Sequence, residues 1–107
     1  MTNDTNAFEA AMTIWLGIAQ EIMETAHNRA GFRFPCPSLS TMYGRRYVRI
    51  VREDSSGSRS AHAFVDRTNG DVMKAASWKG PAKNFARGNI YDAARPGVTE
   101  YGAHTCY

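Results

Sequence analysis

The chain has 107 residues, 43% of them hydrophobic, with 13 Lys or Arg against 10 Asp or Glu and a net charge of +3. That length supports one domain, residues 1–107, with a core of its own and no room for a second. The longest apolar run falls far short of the ~20 residues that cross a bilayer, and the chain opens on polar MTNDTNAFEA rather than on a signal peptide. Cys36 and Cys106 have no metal-ligand spacing, so an intracellular chain with reduced thiols is expected, without a membrane partner.

The charges are unevenly placed. Residues 1–28 hold Asp4, Glu9, Glu21 and Glu24 and no Lys or Arg, while residues 29–107 hold all 13 basic groups. An electrically polar molecule follows, with an acidic helix and a basic remainder suited to an anionic partner.

Phe8, Ala11, Met12, Trp15, Leu16, Ile18, Ala19, Ile22, Met23 and Ala26 recur at spacings of three and four, which predicts an amphipathic helix over residues 7–28. Asn6 stands as its N-cap, Glu9 as the capping-box partner and Gly31 as its stop. Its Met and Trp stripe belongs to a core rather than to a cofactor site. The segment FRFPCPSLSTM (residues 32–42) has two prolines and no usable period, so it reads as an extended connector. Nothing in it would activate Cys36 as a nucleophile.

From Tyr43 onward the period becomes that of strands. YVRIVR is β-branched, EDSSGS is a turn, residues 61–66 alternate, and Thr68-Asn69-Gly70 announces a hairpin before Val72-Met73-Lys74. The expected register pairs Val65 with Val72 and Phe64 with Met73. Phe64 and Met73 then share the face that meets the helix through Met12, Trp15, Ile18, Ala19 and Ile22. Lys74 lies on the other face with Ala61, Ala63 and Val65. Asp66 is expected to bend into the turn and accept its N–H groups, and His62 to be structural.

KAASWKGPAKNFARGN (residues 74–89) concentrates Lys74, Lys79, Lys83 and Arg87 around Trp78. Gly80-Pro81 reads as the start of a short basic helix over residues 81–87, with Gly88 past its end and Lys83 and Arg87 sharing an outer face. The tail offers Ile90, Tyr91, Val98 and Tyr101 as anchors, with one short strand near residues 97–102. Arg49 and Tyr47 extend the cationic and aromatic surface across the sheet. Single strands are held in this way, phosphates by Lys and Arg and bases by aromatic faces. The competing reading has Trp78 simply covering the edge of the core.

Several chemistries find no pattern. A GxxxxGK phosphate loop, GxGxxG, HxH, HExxH and paired cysteines are all missing, so no cofactor or metal is expected. His104 and Cys106, two residues apart in the tail, are the closest approach to a nucleophile and base.

The run FVDRTNGDVMKAASWKGPAKNFARGNIYD, preceded by GRRYVRIV, resembles small proteins of tailed bacteriophages and environmental viral genomes that carry K-A-A-S-W-K, P-A-K and A-R-G-N-I. The resemblance covers roughly residues 44–92. It implies a viral product in a bacterial cytoplasm and carries no activity across.

The expected architecture is α+β: a long N-terminal helix packed on a three- or four-stranded antiparallel sheet, with a short basic helix after the hairpin. The expected function is non-catalytic binding of a polyanion, foremost single-stranded DNA or RNA, through Arg49, Lys74, Trp78, Lys79, Lys83 and Arg87. The alternatives are a protein-interaction module that meets a host protein or a second copy of itself, and a small enzyme.

Overall fold

The N-terminal apolar stripe folds as one helix, α1 (Thr2–Ala30), in a computed structural model that describes residues 2–31, 33–82, 86–92, 94–99 and 102, with residues 2–6 as backbone alone. Phe8, Met12, Trp15, Ala19 and Met23 are buried at spacings of three and four, so one face is withdrawn from water while Ile14 faces out. The helix begins earlier than expected, and Asn6 lies inside it rather than capping it. Residues 2–5 contain no Gly or Pro to stop it there. It ends as expected at Gly31, which takes φ 72° and donates its N–H to the His27 and Asn28 carbonyls at 3.2 Å. His27 and Arg29 in the last turn complement the negative end of the dipole.

The chain continues through β1 (Ser38–Tyr43), β2 (Tyr47–Glu53), β3 (Arg59–Asp66), β4 (Asp71–Met73), a small hairpin of β5 (Ala75–Ser77) and β6 (Gly80–Pro81), and β7 (Gly88–Asn89). One five-stranded antiparallel sheet runs β1-β2-β3-β4-β7, and β5 and β6 pair apart from it. The fold is thus α+β, one strand richer than the three or four expected. β1 arises within the segment read as a connector, pairing from Ser38 with Glu53 to Tyr43 with Val48. It is a largely exposed edge strand, so its sequence carries no apolar alternation, and pairing with β2 creates it. Phe34 in the preceding connector is exposed, its ring edge-to-face with His27.

The β3–β4 hairpin has the expected register, Phe64 opposite Met73 and Val65 opposite Val72. Gly70 takes φ 82° and donates its N–H to the Asp66 carbonyl at 2.7 Å. Asp66 bends into the turn: Oδ1 accepts the Thr68 N–H at 2.9 Å and hydroxyl at 2.6 Å, and Oδ2 meets Arg46 at 3.2 Å. Between β2 and β3 the pairing slips from Ile50 with Ala63 to Val51 with Ala61, which leaves His62 as the extra residue of a bulge.

The helix lies on the face opposite to the one expected. Val48, Ile50, Ala63, Val65 and Val72 pack against Phe8, Met12, Trp15 and Ala19, joined by Ile90 and Val98 from the C-terminal segment. Phe64 is buried on the other face, beside Tyr47 and Arg49, where the β5–β6 hairpin packs against β3. Short branched side chains make a flush surface on which Trp15 can sit, and the larger rings and arginines are left for the outer face. Trp15 is 1% exposed, and its Nε1–H donates to the Pro96 carbonyl at 2.8 Å, tying the helix to the tail.

The short basic helix is replaced at its start by a strand. Gly80 and Pro81 form β6 opposite Ser77 and Ala75, while Ala82, Ala86 and Arg87 have no helical structure, and Lys83 lies outside the described residues. Proline suits an edge strand as well as a first helical turn, and the extended Ala75-Ala76-Ser77 segment offers a partner. Among the described residues, the strand expected near residues 97–102 shows one bridge, Thr99 with Gly102. Tyr91 is exposed rather than an anchor, and Tyr101 lies outside the described residues. No helix among the described residues is long and apolar enough to cross a membrane.

Candidate anion-binding surface

Two turns meet on the outer face of the sheet. The β1–β2 turn is closed by the Gly44 N–H donating to the Tyr47 carbonyl at 2.9 Å, and it presents Arg45 and Arg46 in an exposed loop. The β5–β6 turn is Trp78-Lys79, with the Lys79 N–H donating to Ser77 Oγ at 3.2 Å. Between them lies a cavity of about 250 Å³ lined by Met42 to Tyr47, Arg49, Phe64 and Lys79. Among the described residues, four cations and three aromatic rings line it, and no carboxylate, imidazole or thiol does.

Arginines are stacked on these rings. Arg49 donates from Nε to the Trp78 carbonyl at 2.7 Å, and its guanidinium carbon lies 4.5 Å from the Trp78 ring centroid and 5.8 Å from that of Phe64. Arg59 approaches the same indole at 5.7 Å. Arg46 lies 5.3 Å over Tyr47, and Arg67 5.3 Å over Tyr43, with Arg67 Nη1 donating to the Gly44 carbonyl at 2.7 Å. Each ring holds a guanidinium in place by attraction to its π face, at about 0.5–1 kcal/mol per exposed contact. A cation already positioned loses less freedom when an anion arrives.

The Asp66 carboxylate pairs with one of these cations, Arg46, at 3.2 Å. Burial raises the Asp66 carboxyl, but the Thr68 hydroxyl and amide and the Arg46 guanidinium outweigh it and hold the group below its ordinary value. The acidic helix lies on the opposite face of the sheet, so the charge asymmetry of the sequence becomes an asymmetry across the sheet.

Of the residues expected in the site, Arg49, Trp78 and Lys79 come together here. Lys74 does not: it is exposed at the open end of the β5–β6 hairpin, where its carbonyl accepts the Ala82 N–H at 2.7 Å, away from the Trp78-Lys79 tip. Arg87 is half-buried at the entry to β7, its N–H donating to the Val72 carbonyl at 2.7 Å, and it does not line the cavity. Lys83 lies outside the described residues. Arg45, Arg46 and Arg59 were missed by the sequence reading, although the GRRY run could have signalled a cationic turn once β1 was recognised.

Other chemistry-bearing groups stay apart. Among the described residues no three His, Cys, Asp or Glu side chains converge as a metal site would require. Burial pushes the Cys36 thiol up, Glu24 adds to this and Arg52 opposes it, so Cys36 is a poor nucleophile. His62, 4% exposed, is pushed by burial down to about 4, with Arg52 adding to the fall and the Thr99 backbone opposing it. His104 and Cys106 lie outside the described residues. A larger open groove of about 600 Å³ follows Glu21, Ile22, Thr25, Ala26, Arg29 and Ala30 of α1, with one charge of each sign and no convergent donors.

Residues 7–101 match a family described as a family of unknown function, DUF7717, and the chain belongs to it. No curated protein and no solved structure matches the chain.

Proposed function

We propose that this member of the DUF7717 family binds single-stranded nucleic acid without catalysis, through the two turns on the outer face of the sheet. The observation that carries the reading is the set of arginines that lie over Tyr43, Tyr47, Phe64 and Trp78, at one cavity and beside it. Guanidinium groups held close over rings supply phosphate donors, and the remaining ring and guanidinium faces supply stacking surface for unpaired bases. The resemblance of residues 44–92 to small tailed-phage proteins supports a bacterial cytoplasm as the setting.

A second reading has support of its own. Met42, Tyr43 and Trp78 are exposed among the arginines, the composition of a protein-interface anchor, so a host protein or a second copy could dock here.

Titration of labelled single-stranded DNA and RNA at several salt concentrations separates the two. Nucleic-acid binding falls steeply with salt, and Lys79→Ala lowers the slope by ~1 for all sequences. Lys74→Ala, away from the cavity, has the smaller effect. Absence of binding to any strand at low salt would transfer the proposal to the protein-interaction reading.

A further inference from the structure

Cations that track a continuous strand are spread along a groove, one near each phosphate. Here Arg45, Arg46, Arg49 and Lys79 converge on a single cavity of about 250 Å³. That volume lies below the ~300–1,000 Å³ of pockets that hold drug-sized ligands, so the space suits one nucleotide and not a run of them. A phosphodiester within a strand carries one negative charge, whereas a phosphomonoester carries about −1.5 to −2 at pH 7 and offers three acceptor oxygens. Arg46 is already paired with Asp66, and the three other cations around one opening match the second group better than the first.

The geometry provides for the rest of a nucleotide as well. Tyr47 lines the cavity with its ring edge-to-face against Phe64, centroids 6.5 Å apart, which fixes the rings against which a base can lie. Arg45 and Lys79 are exposed on the two facing turns, free to close on a phosphate from either side. Arg49, anchored by its Nε and by the Trp78 ring, holds the floor.

Building on the strand-binding reading above, we infer that this cavity is a subsite for a nucleotide bearing a phosphomonoester, such as the terminal nucleotide of a strand. The test compares one short oligonucleotide carrying a 5′-phosphate, a 3′-phosphate or neither, by fluorescence anisotropy with the full chain. A terminal phosphate at one end tightens binding by about tenfold, as one or two added charged hydrogen bonds would. The preference shrinks as pH falls below ~6, where the phosphomonoester loses its second charge.

Lys79→Ala and Arg45→Ala, exposed turn positions whose folding is checked by circular dichroism, reduce the preference to about twofold or less, over and above the loss of affinity that Lys79→Ala causes for every strand. A free nucleoside monophosphate competes with the phosphorylated strand, and the nucleoside does not. Equal affinity for phosphorylated and unphosphorylated strands would overturn the subsite while leaving strand binding intact. Competition by inorganic phosphate as strong as that by the nucleotide would overturn its nucleotide character. Failure of every strand to bind would remove the strand-binding reading itself.

Discussion

Arg49 and Trp78 are joined twice: Arg49 Nε donates to the Trp78 carbonyl at 2.7 Å, and the guanidinium lies 4.5 Å from the centroid of the Trp78 ring. One bond fixes the backbone of the β5–β6 tip to β2, and the other fixes the direction of the cation. Trp78 is therefore a platform for arginine first and a stacking surface for a ligand second.

Because Arg49 and Trp78 share that contact, their substitutions should not add. A double-mutant cycle of Arg49→Ala and Trp78→Ala, read by urea unfolding, is expected to give a coupling of about 0.5–1 kcal/mol. Full additivity would show that the stacked pair contributes nothing to holding the hairpin down.

Trp15 fills the centre of the core, so Trp15→Ala is expected to destabilise by ~3–5 kcal/mol through the cavity it leaves. Trp15→Phe keeps most of the apolar area but removes the donor to the Pro96 carbonyl, a loss of ~1–3 kcal/mol if that carbonyl finds no other partner. Chemical denaturation of the three proteins measures both steps. The two losses separate packing from the tether to the tail.

His62 should impose a pH dependence on stability. Its imidazole titrates at about 4 in the fold, against an ordinary value of 6.5, so the unfolded chain binds a proton that the folded chain refuses. The stability linked to this group is complete above ~6.5 and is lost as pH falls toward 4, on the order of 3 kcal/mol in all. Asp66, held below its ordinary 3.8, loses its contribution only at lower pH and so does not overlap this window. Urea unfolding between pH 7 and 4 should show the decline, and His62→Leu should flatten it.

Gly88 has no unusual dihedral angle, yet it admits no side chain. A Cβ there would collide with the Arg95 carbonyl and come within 2.7 Å of the Gly97 backbone, where the tail crosses β7. Gly88→Ala is expected to destabilise by ~1–3 kcal/mol, as overpacking does, with a lowered melting temperature as the readout. Gly57→Ala offers a contrast, since Gly57 has φ 89° but open space around it, and its effect is conformational alone.

Much of the framework was legible in the residues themselves. Apolar spacing of three and four located α1, and Asn69-Gly70 with Asp66 located the β3–β4 turn and its register, because these features depend on neighbours in the chain. β1 was not legible: an edge strand with mostly exposed side chains has no alternation to detect, and its existence rests on hydrogen bonds to β2. Pro81 misled in the opposite sense, since its fixed φ fits a helix start and an edge strand equally, and the partner across the hairpin decided between them.

The sequence by itself determined an α+β chain with a buried Trp15 stripe, a hairpin register and a separation of acidic from basic residues, all consequences of local pattern and composition. Tertiary structure alone decided which face of the sheet took the helix, because β3 is buried on both faces from His62 to Asp66 and packing shape distinguishes Ala63 and Val65 from Phe64. That choice left Phe64, Arg49 and Tyr47 on the outer face, brought Arg45 and Arg46 opposite Lys79, and moved Lys74 and Arg87 out of the group. Residues far apart in a chain share a site only when the elements between them settle on the same side of a core, and no spacing in the sequence encodes that side.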